Sequence, residues 1–216
     1  MKRIIISFCT VLVLVACNSD KPADETKLAS ATSDEANDKK TEWIAVDSAT
    51  AEKNWMAYAT PGEPHKMLAN MDGAWTGDIK MWMSPDAPPM TSTGLATYKT
   101  IMGGRYQESV HKSNMMGQPF EGHSTTAFDN AKKVFISTWI DNMGTGLMTM
   151  EGKWDEATKT ITYKGKMVCP SNGQECDMRE VYKIIDDNTH YMEMYGPDMK
   201  TGKEYKNMVI KFTRNK

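Results

Sequence analysis

The sequence lacks both a long apolar run and an excess of one charge. Its longest apolar stretch, Ile4 to Ala16, falls short of the roughly 20 residues that cross a bilayer as a helix. The 26 basic and 28 acidic residues leave a net charge of −2, which becomes more negative if Lys2 and Arg3 are removed with a signal peptide. A nucleic-acid-binding protein needs a basic surface, so this balance argues against nucleic acid as a partner.

The sequence also lacks the motifs of the common enzyme classes. It has no Gly-any-Ser-any-Gly nucleophile elbow, no phosphate-binding glycine loop and no dinucleotide fingerprint. Its histidines lie on different predicted elements, without the spacing of a metal site: His65, His111, His123 and His190. No catalytic residue, metal site or cofactor is therefore predicted, and an enzyme is the less favoured class.

The N-terminus carries the features of an export signal. A basic start precedes the short apolar stretch, which is typical of a secretory signal peptide over residues 1–16. The stretch ends in Leu14-Val15-Ala16-Cys17, which resembles a bacterial lipobox, and the resemblance implies that Cys17 is lipidated and becomes the new N-terminus. Asn18 directly follows this cysteine, and a residue other than Asp there resembles lipoproteins that are sent to the outer membrane. We therefore expect a lipid-anchored protein of the bacterial cell envelope, at the outer membrane. The alternative is an ordinary signal peptide with a chance cysteine.

Residues 17–42 are predicted to be a disordered tether between the anchor and the folded domain. The segment is rich in charged and small polar residues, and Leu28 is its one large aliphatic residue. Such a composition cannot bury enough apolar surface to offset the entropy of ordering. A polar helix is the alternative, and Pro22 argues against it.

A folded domain is predicted over residues 43–216, and it begins with helical segments. Asp47 is a candidate N-cap, and an apolar stripe of Ala51, Trp55 and Tyr58 indicates a helix that Pro61-Gly62 ends. A second short helical segment is predicted between residues 63 and 71.

The rest of the domain is predicted to consist of about ten β-strands. The central signal is a hairpin of two β-rich runs around Asp129-Asn130, because Asp and Asn favour tight reversals. Short turns and the absence of crossover helices favour an all-β, up-and-down antiparallel barrel, with a two-sheet sandwich as the alternative. The predicted strands are 74–83, 93–101, 105–112, 120–128, 134–141, 147–154, 160–168, 179–186, 189–195 and 205–214.

Gly73-Ala74-Trp75, at the start of the first strand, resembles the Gly-any-Trp signature of lipocalins. The resemblance implies that the tryptophan closes one end of the barrel under an arginine from near the last strand. Arg214 ends the last predicted strand on the inward parity, so we expect its guanidinium to stack on Trp75. The alternative is an ordinary core tryptophan.

A second resemblance covers most of residues 64–216. It rests on the motifs Gly103-Gly104-Arg105-Tyr106, Gly117 to Gly122, Asp129-Asn130, Trp139-Ile140-Asp141 with Gly144-Thr145, and Met208 to Arg214. It is to the bacterial family called domain of unknown function 1579, and it implies a secreted or periplasmic lipocalin-like barrel without an established activity. Arg105 and Asp141 stand in the matching motifs, and we expect them to form an interior polar pair, as a structural salt bridge rather than a catalytic pair.

Methionine is abundant, with 19 residues, and three pairs are spaced to share one strand face: Met81/Met83, Met148/Met150 and Met192/Met194. Core filling is the favoured explanation. Flexible thioethers also suit an adaptable ligand cavity, or ligation of copper(I) or haem.

The predicted function is binding of a small apolar or amphipathic molecule, and a non-catalytic surface-interaction protein is the alternative; oligomeric state is not predicted. The candidate ligand residues are Met81, Arg105, Tyr106, Trp139, Asp141, Met148 and Met192.

Two further cysteines, Cys169 and Cys176, flank a predicted six-residue loop between two strands. In an exported protein such a pair is expected to form a disulfide across the loop.

Overall fold

Ten antiparallel strands close into a barrel in which each strand pairs with its neighbours in the chain. The structure is a computed structural model that describes residues 42–216, so the predicted signal peptide, Cys17 and nearly all of the predicted tether lie outside the described residues. Pairing of the first strand with the last closes the barrel, which confirms the predicted architecture over the sandwich. The strands are β1 Gly73–Met81, β2 Met90–Ile101, β3 Tyr106–Met115, β4 Gln118–Asp129, β5 Val134–Asp141, β6 Met148–Asp155, β7 Thr160–Val168, β8 Glu175–Asp186, β9 Thr189–Pro197 and β10 Glu204–Arg214.

Short turns capped by aspartate side chains join several of the strands. Between β4 and β5, Asp129 Oδ1 accepts hydrogen bonds from the backbone N–H groups of Ala131 (2.7 Å) and Lys132 (2.9 Å). Asp155 accepts the corresponding bond from Ala157 N–H (2.8 Å) between β6 and β7. A short carboxylate can satisfy the turn's own backbone donors, which is why these sequences reverse the chain within a few residues.

One end of the barrel is covered by helix α2, Glu63–Ala69, and we call it the covered end. Leu68 of this helix is buried, and the Gln107 side chain donates hydrogen bonds to the Leu68 carbonyl and to Asp72 Oδ1 (2.9 Å). Asp72 Oδ2 in turn accepts from the backbone N–H of Thr100 (2.8 Å). These bonds fix the helix and the segment after it across β2 and β3.

Helix α1, Ser48–Ala59, begins as predicted, because the Asp47 side chain accepts a hydrogen bond from Thr50 N–H at 2.9 Å. No residue of this helix is buried, however, and its predicted apolar stripe is uncovered: Trp55 is 68% exposed and Tyr58 48%. The C-terminal end of α1 is held by Asn130, whose amide donates to the carbonyls of Tyr58 and Thr60, each at 2.9 Å.

Trp75 and Arg214 join the start of β1 to the end of β10 at the covered end. The two residues are opposite each other in the β1–β10 register, and the guanidinium carbon lies 4.2 Å from the centroid of the buried indole ring. Arg214 also donates to the backbone carbonyls of Asn70 (2.6 Å), Asp72 and Asp187 (2.8 Å). The predicted stacking is confirmed, and the same side chain fastens the segment after α2 and the β8–β9 turn.

The predicted disulfide is wrong: Cys169 and Cys176 are free thiols in the structure. Strand β8 begins at Glu175, earlier than expected, so Cys176 lies in the sheet opposite Met167, while Cys169 lies beyond β7 opposite Gln174. The two cysteines are therefore diagonal across the hairpin, and such neighbours are about 7–8 Å apart. A disulfide needs Cβ atoms within about 3.5–4.5 Å.

Replacement of Arg214 by Ala should lower the free energy of unfolding by about 2–3 kcal/mol, since the variant loses a cation–π contact and charged hydrogen bonds to carbonyls. Arg214→Lys should restore only part of the lost stability, because a compact ammonium group lacks the planar fork of donors with which the guanidinium reaches three carbonyls. Urea unfolding measures both. The control is Lys211→Ala, on the exposed outer face of the same strand. Equal losses for the two alanine variants would contradict the role given to Arg214.

Candidate functional site

Most inward-facing side chains are buried at the covered end, apart from a cavity of about 200 Å³ beside α2 that Trp75, His190 and Arg214 help to line, and more of them keep accessible surface toward the opposite end, which we call the open end. Near α2 the inward-facing Trp75, Phe135 and Ile161 are each 1% exposed. Farther along the barrel, inward-facing side chains keep accessible surface: Ile79, Trp139, Met148, Met167, Met194 and Met208. These side chains alternate with the outward ones, so their accessible surface faces an internal space.

The buried residues form two separate clusters rather than one core. One contains Phe135, Ile161 and Tyr182, and the other contains Trp75, Tyr98 and Phe212. Met192 contacts both clusters. The first cluster lies on α2 and β5 to β8, and the second lies on β1, β2 and β10.

Methionines line much of this interior. The predicted pairs Met148/Met150 and Met192/Met194 face inward, whereas β1 ends at Met81 and Met83 lies beyond it, 61% exposed, so the predicted Met81/Met83 strand face is wrong. Thioether side chains adapt to irregular shapes, which suits a cavity wall. Seven strand methionines pack against the two clusters or belong to them: Met148, Met150, Met167, Met178, Met192, Met194 and Met208.

Trp139 forms a wall of the open half, and its orientation is fixed from two sides. Its Nε1–H donates to Asp141 Oδ2 at 2.8 Å, and its ring lies so close to Gly122 that a Cβ there would come within 2.2 Å of the indole. The ring of His111 lies 5.2 Å away and that of Phe120 6.3 Å. Asp141 therefore positions the indole.

The predicted pair of Arg105 and Asp141 is wrong, because the residues lie at opposite ends of the barrel. Arg105 belongs to the β2–β3 turn at the covered end and donates to the Met102 carbonyl (3.1 Å). Asp141 ends β5 at the open end, opposite Gly122. Tyr106 points outward and is 38% exposed, since the inward position at the start of β3 belongs to Gln107. Neither Arg105 nor Tyr106 lines the interior.

A polar cluster that the sequence did not predict lies toward the covered end. Tyr182 Oη and His190 Nδ1 are 2.8 Å apart, and the His190 ring stacks on Trp75 with centroids 4.2 Å apart. Among residues 42–216, His190 Nε2 has no hydrogen-bond partner. Burial, with the positive charge of Arg214, lowers the pKa of His190 to about 3, and burial lowers the pKa of His111 to about 4. Both imidazoles are therefore neutral at physiological pH.

Glu180 is the interior residue that sequence reasoning missed. It points inward from β8 between Met178 and Tyr182, and its cross-strand neighbours are Tyr163 on β7 and Met194 on β9. Burial alone raises its pKa to about 7; within the described part of the chain neither a hydrogen bond nor a positive charge opposes this shift. The alternation of Met178, Glu180 and Tyr182 could have revealed it, had β8 been extended to its true start.

Two negative findings concern the described residues. Within residues 42–216 there is no group of three or more His, Cys, Asp or Glu side chains placed to hold a metal ion. Neither described helix is long and apolar enough to cross a membrane.

Comparisons with known proteins agree with the fold. The family described as "Protein of unknown function (DUF1579)" matches residues 60–214, as the sequence motifs predicted. The crystal structure of Rv2717c from M. tuberculosis is similar at a TM-score of 0.55 and 11% identity, covering 72% of this chain and 100% of that chain. The S-type phycobiliprotein lyase CPES from Guillardia theta is similar at 0.52 and 5%, covering 75% and 97%. No curated protein matches.

The raised pKa of Glu180 makes a prediction about stability. A carboxyl group whose folded-state pKa exceeds its ordinary value of 4.5 stabilises the fold fully below pH 4.5 and loses that contribution as the pH rises through about 7. The melting temperature of Glu180→Gln should therefore rise relative to that of wild type as the pH increases from 5 to 8. The control is Asp177→Asn, an exposed residue on the outer face of β8. A difference between wild type and Glu180→Gln that does not change with pH would contradict the interior placement of an unpaired carboxyl.

Proposed function

The chain belongs to the DUF1579 family of proteins of unknown function, and we propose that this member binds a small apolar or amphipathic molecule inside its barrel. The observation that carries the proposal is the uneven filling of the interior. Inward-facing Trp139, Met148 and Met194 keep accessible surface, whereas Trp75 and Phe135 at the covered end are fully buried. Apolar walls with a few polar groups are typical of small-molecule sites.

The rim of the open end supports entry of an apolar molecule there. The turns and strand ends at this end carry apolar side chains that are between 37% and 67% exposed: Met83, Met90, Met116, Met143, Leu147 and Met199. Single exposed apolar residues are common, but their presence around one opening favours contact with apolar ligands. The similar Guillardia theta barrel is named a phycobiliprotein lyase, so this fold also occurs in a protein that acts on another molecule.

We further propose that a lipid at Cys17 anchors the protein to a membrane of the bacterial cell envelope, at the outer membrane. The support is the lipobox-like Leu14-Val15-Ala16-Cys17, followed by Asn18. Several acyl chains on one residue anchor a protein stably, at about 0.8 kcal/mol per buried methylene.

The anchor proposal predicts that Cys17→Ser releases the protein from membranes or leaves it unprocessed, because the serine cannot form a thioether. Membrane fractionation with intact-mass measurement tests this outcome. Cys9→Ser is the matched control, since Cys9 lies within the predicted signal peptide and should leave anchoring unchanged. A Cys17→Ser protein found in membranes at its mature mass would overturn the anchor.

A second candidate function is a non-catalytic interaction through the outer surface, and helix α1 favours it. No residue of α1 is buried, and the helix and the residue Val46 before it expose apolar side chains: Val46, Trp55, Met56 and Tyr58. This surface lies on the outside of the domain, so it can be tested separately from the interior.

Binding inside the barrel is tested with diphenylhexatriene, an apolar fluorescent probe. Wild type should bind it, and Trp139→Ala should weaken binding about tenfold, since a lost aromatic contact of about 1.4 kcal/mol corresponds to that factor. Trp139→Phe should keep most of the affinity. The control is Trp55→Ala in α1. Absence of binding to wild type, or an equal loss in the Trp55 variant, would refute the interior site.

A further inference from the structure

We propose that the interior site recognises an organic cation: an amphipathic molecule with one protonated amine, which pairs with the Glu180 carboxylate. The apolar part of the molecule lies against the methionines and aromatic rings of the open half. The inference rests on the proposed interior site and adds the chemical class of its ligand.

The position of Glu180 is the first support. Glu180 points to the interior and the residue is half-buried, yet no group among residues 42–216 donates a hydrogen bond or an ion pair to its carboxylate. An unpaired carboxylate in low-dielectric surroundings is costly, and the barrel supplies no cation to offset that cost. A bound ammonium group would supply both the opposite charge and N–H donors.

The distribution of charge inside the barrel is the second support. Every lysine on the ten strands is exposed on the outer face. The one arginine with inward parity, Arg214, lies at the covered end, where it is engaged with Trp75 and three carbonyls. Asp141, near the open end, adds a second acidic side chain with inward parity. An anionic ligand would therefore meet carboxylates without a free cation, whereas a cationic ligand meets the charge it needs.

The rings around Glu180 are the third support. Tyr163 is its cross-strand neighbour and Tyr182 is next on the same face of β8. The charge of Glu180 also raises the pKa of Tyr98, after the larger effect of burial and against a hydrogen bond from Tyr182. Aromatic faces attract cations, and ammonium recognition commonly combines them with a carboxylate.

The ionisation of Glu180 should control the affinity. The titratable groups with inward parity are Cys176 and Tyr182 on its own strand, Tyr163 on β7, Tyr98 on β2, His190 on β9, His111 on β3 and Asp141 on β5. Burial raises the pKa of these tyrosines and lowers the pKa of these histidines, so these five rings are neutral near pH 7. Because burial raises the pKa of Glu180 to about 7, an amine should bind more tightly above that pH.

The test compares three probes with the same chain and different head groups: octylamine, octanol and octanoate, each below its micelle concentration. Isothermal titration calorimetry on the purified protein gives their dissociation constants at pH 8 and pH 6. The variants are Glu180→Gln, which removes the interior charge, and Asp177→Asn, which removes one exposed charge from the outer face of the same strand.

At pH 8 octylamine should bind at least about tenfold more tightly than octanol, and octanoate most weakly. At pH 6, one unit below the pKa of Glu180, octylamine affinity should fall about tenfold. Glu180→Gln should abolish both the amine preference and its pH dependence, while Asp177→Asn keeps them. Equal binding of amine and alcohol, or a preference that survives in Glu180→Gln, would overturn the cation site while leaving interior binding intact. If no octyl probe binds and diphenylhexatriene does not bind either, the interior site itself fails.

Discussion

The contact between Arg214 and Trp75 is the interaction on which the rest of the barrel depends. The guanidinium covers the indole and also bonds the carbonyls of Asn70, Asp72 and Asp187. One side chain thus joins the first strand, the last strand, the segment after α2 and a turn between two other strands. The pairing of β1 with β10 continues from this contact to Met81 and Met208, so the sheet is closed along its whole height.

The interior then follows from how side chains are distributed along the barrel axis. Aromatic and branched residues pack the covered end, whereas methionines and Trp139 line the half that stays accessible. Gly122 leaves room for the indole, and Asp141 holds it in place. Glu180 faces this space without a hydrogen-bond donor or a cation among the described residues. Its burial is therefore not offset by any opposite charge in that part of the chain.

The fold could be predicted because its signals are local. Alternating strands, aspartate turns and the parity of Trp75 and Arg214 each depend on a few neighbouring residues. The site was harder to predict, because it depends on where each side chain lies along the barrel axis, and a local sequence pattern does not give that position. Arg105 and Asp141 both stand in family-like motifs but lie at opposite ends of the barrel. Cys176 is two residues away from the position opposite Cys169, so the two cysteines are diagonal neighbours. Glu180 was missed because the predicted β8 began too late to show its alternation with Met178.

Because the number of strands is even, the first strand begins and the last strand ends at the same end of the barrel. This arrangement affects which parts of such a protein can vary between relatives. Strand β1 begins and β10 ends at the covered end, so among the described strands the open end carries five hairpin connections. Surface connections tolerate insertion far better than the strands they join. Each of the five can therefore change length or composition without disturbing closure, which leaves relatives of this fold free to reshape the entrance around an unchanged frame.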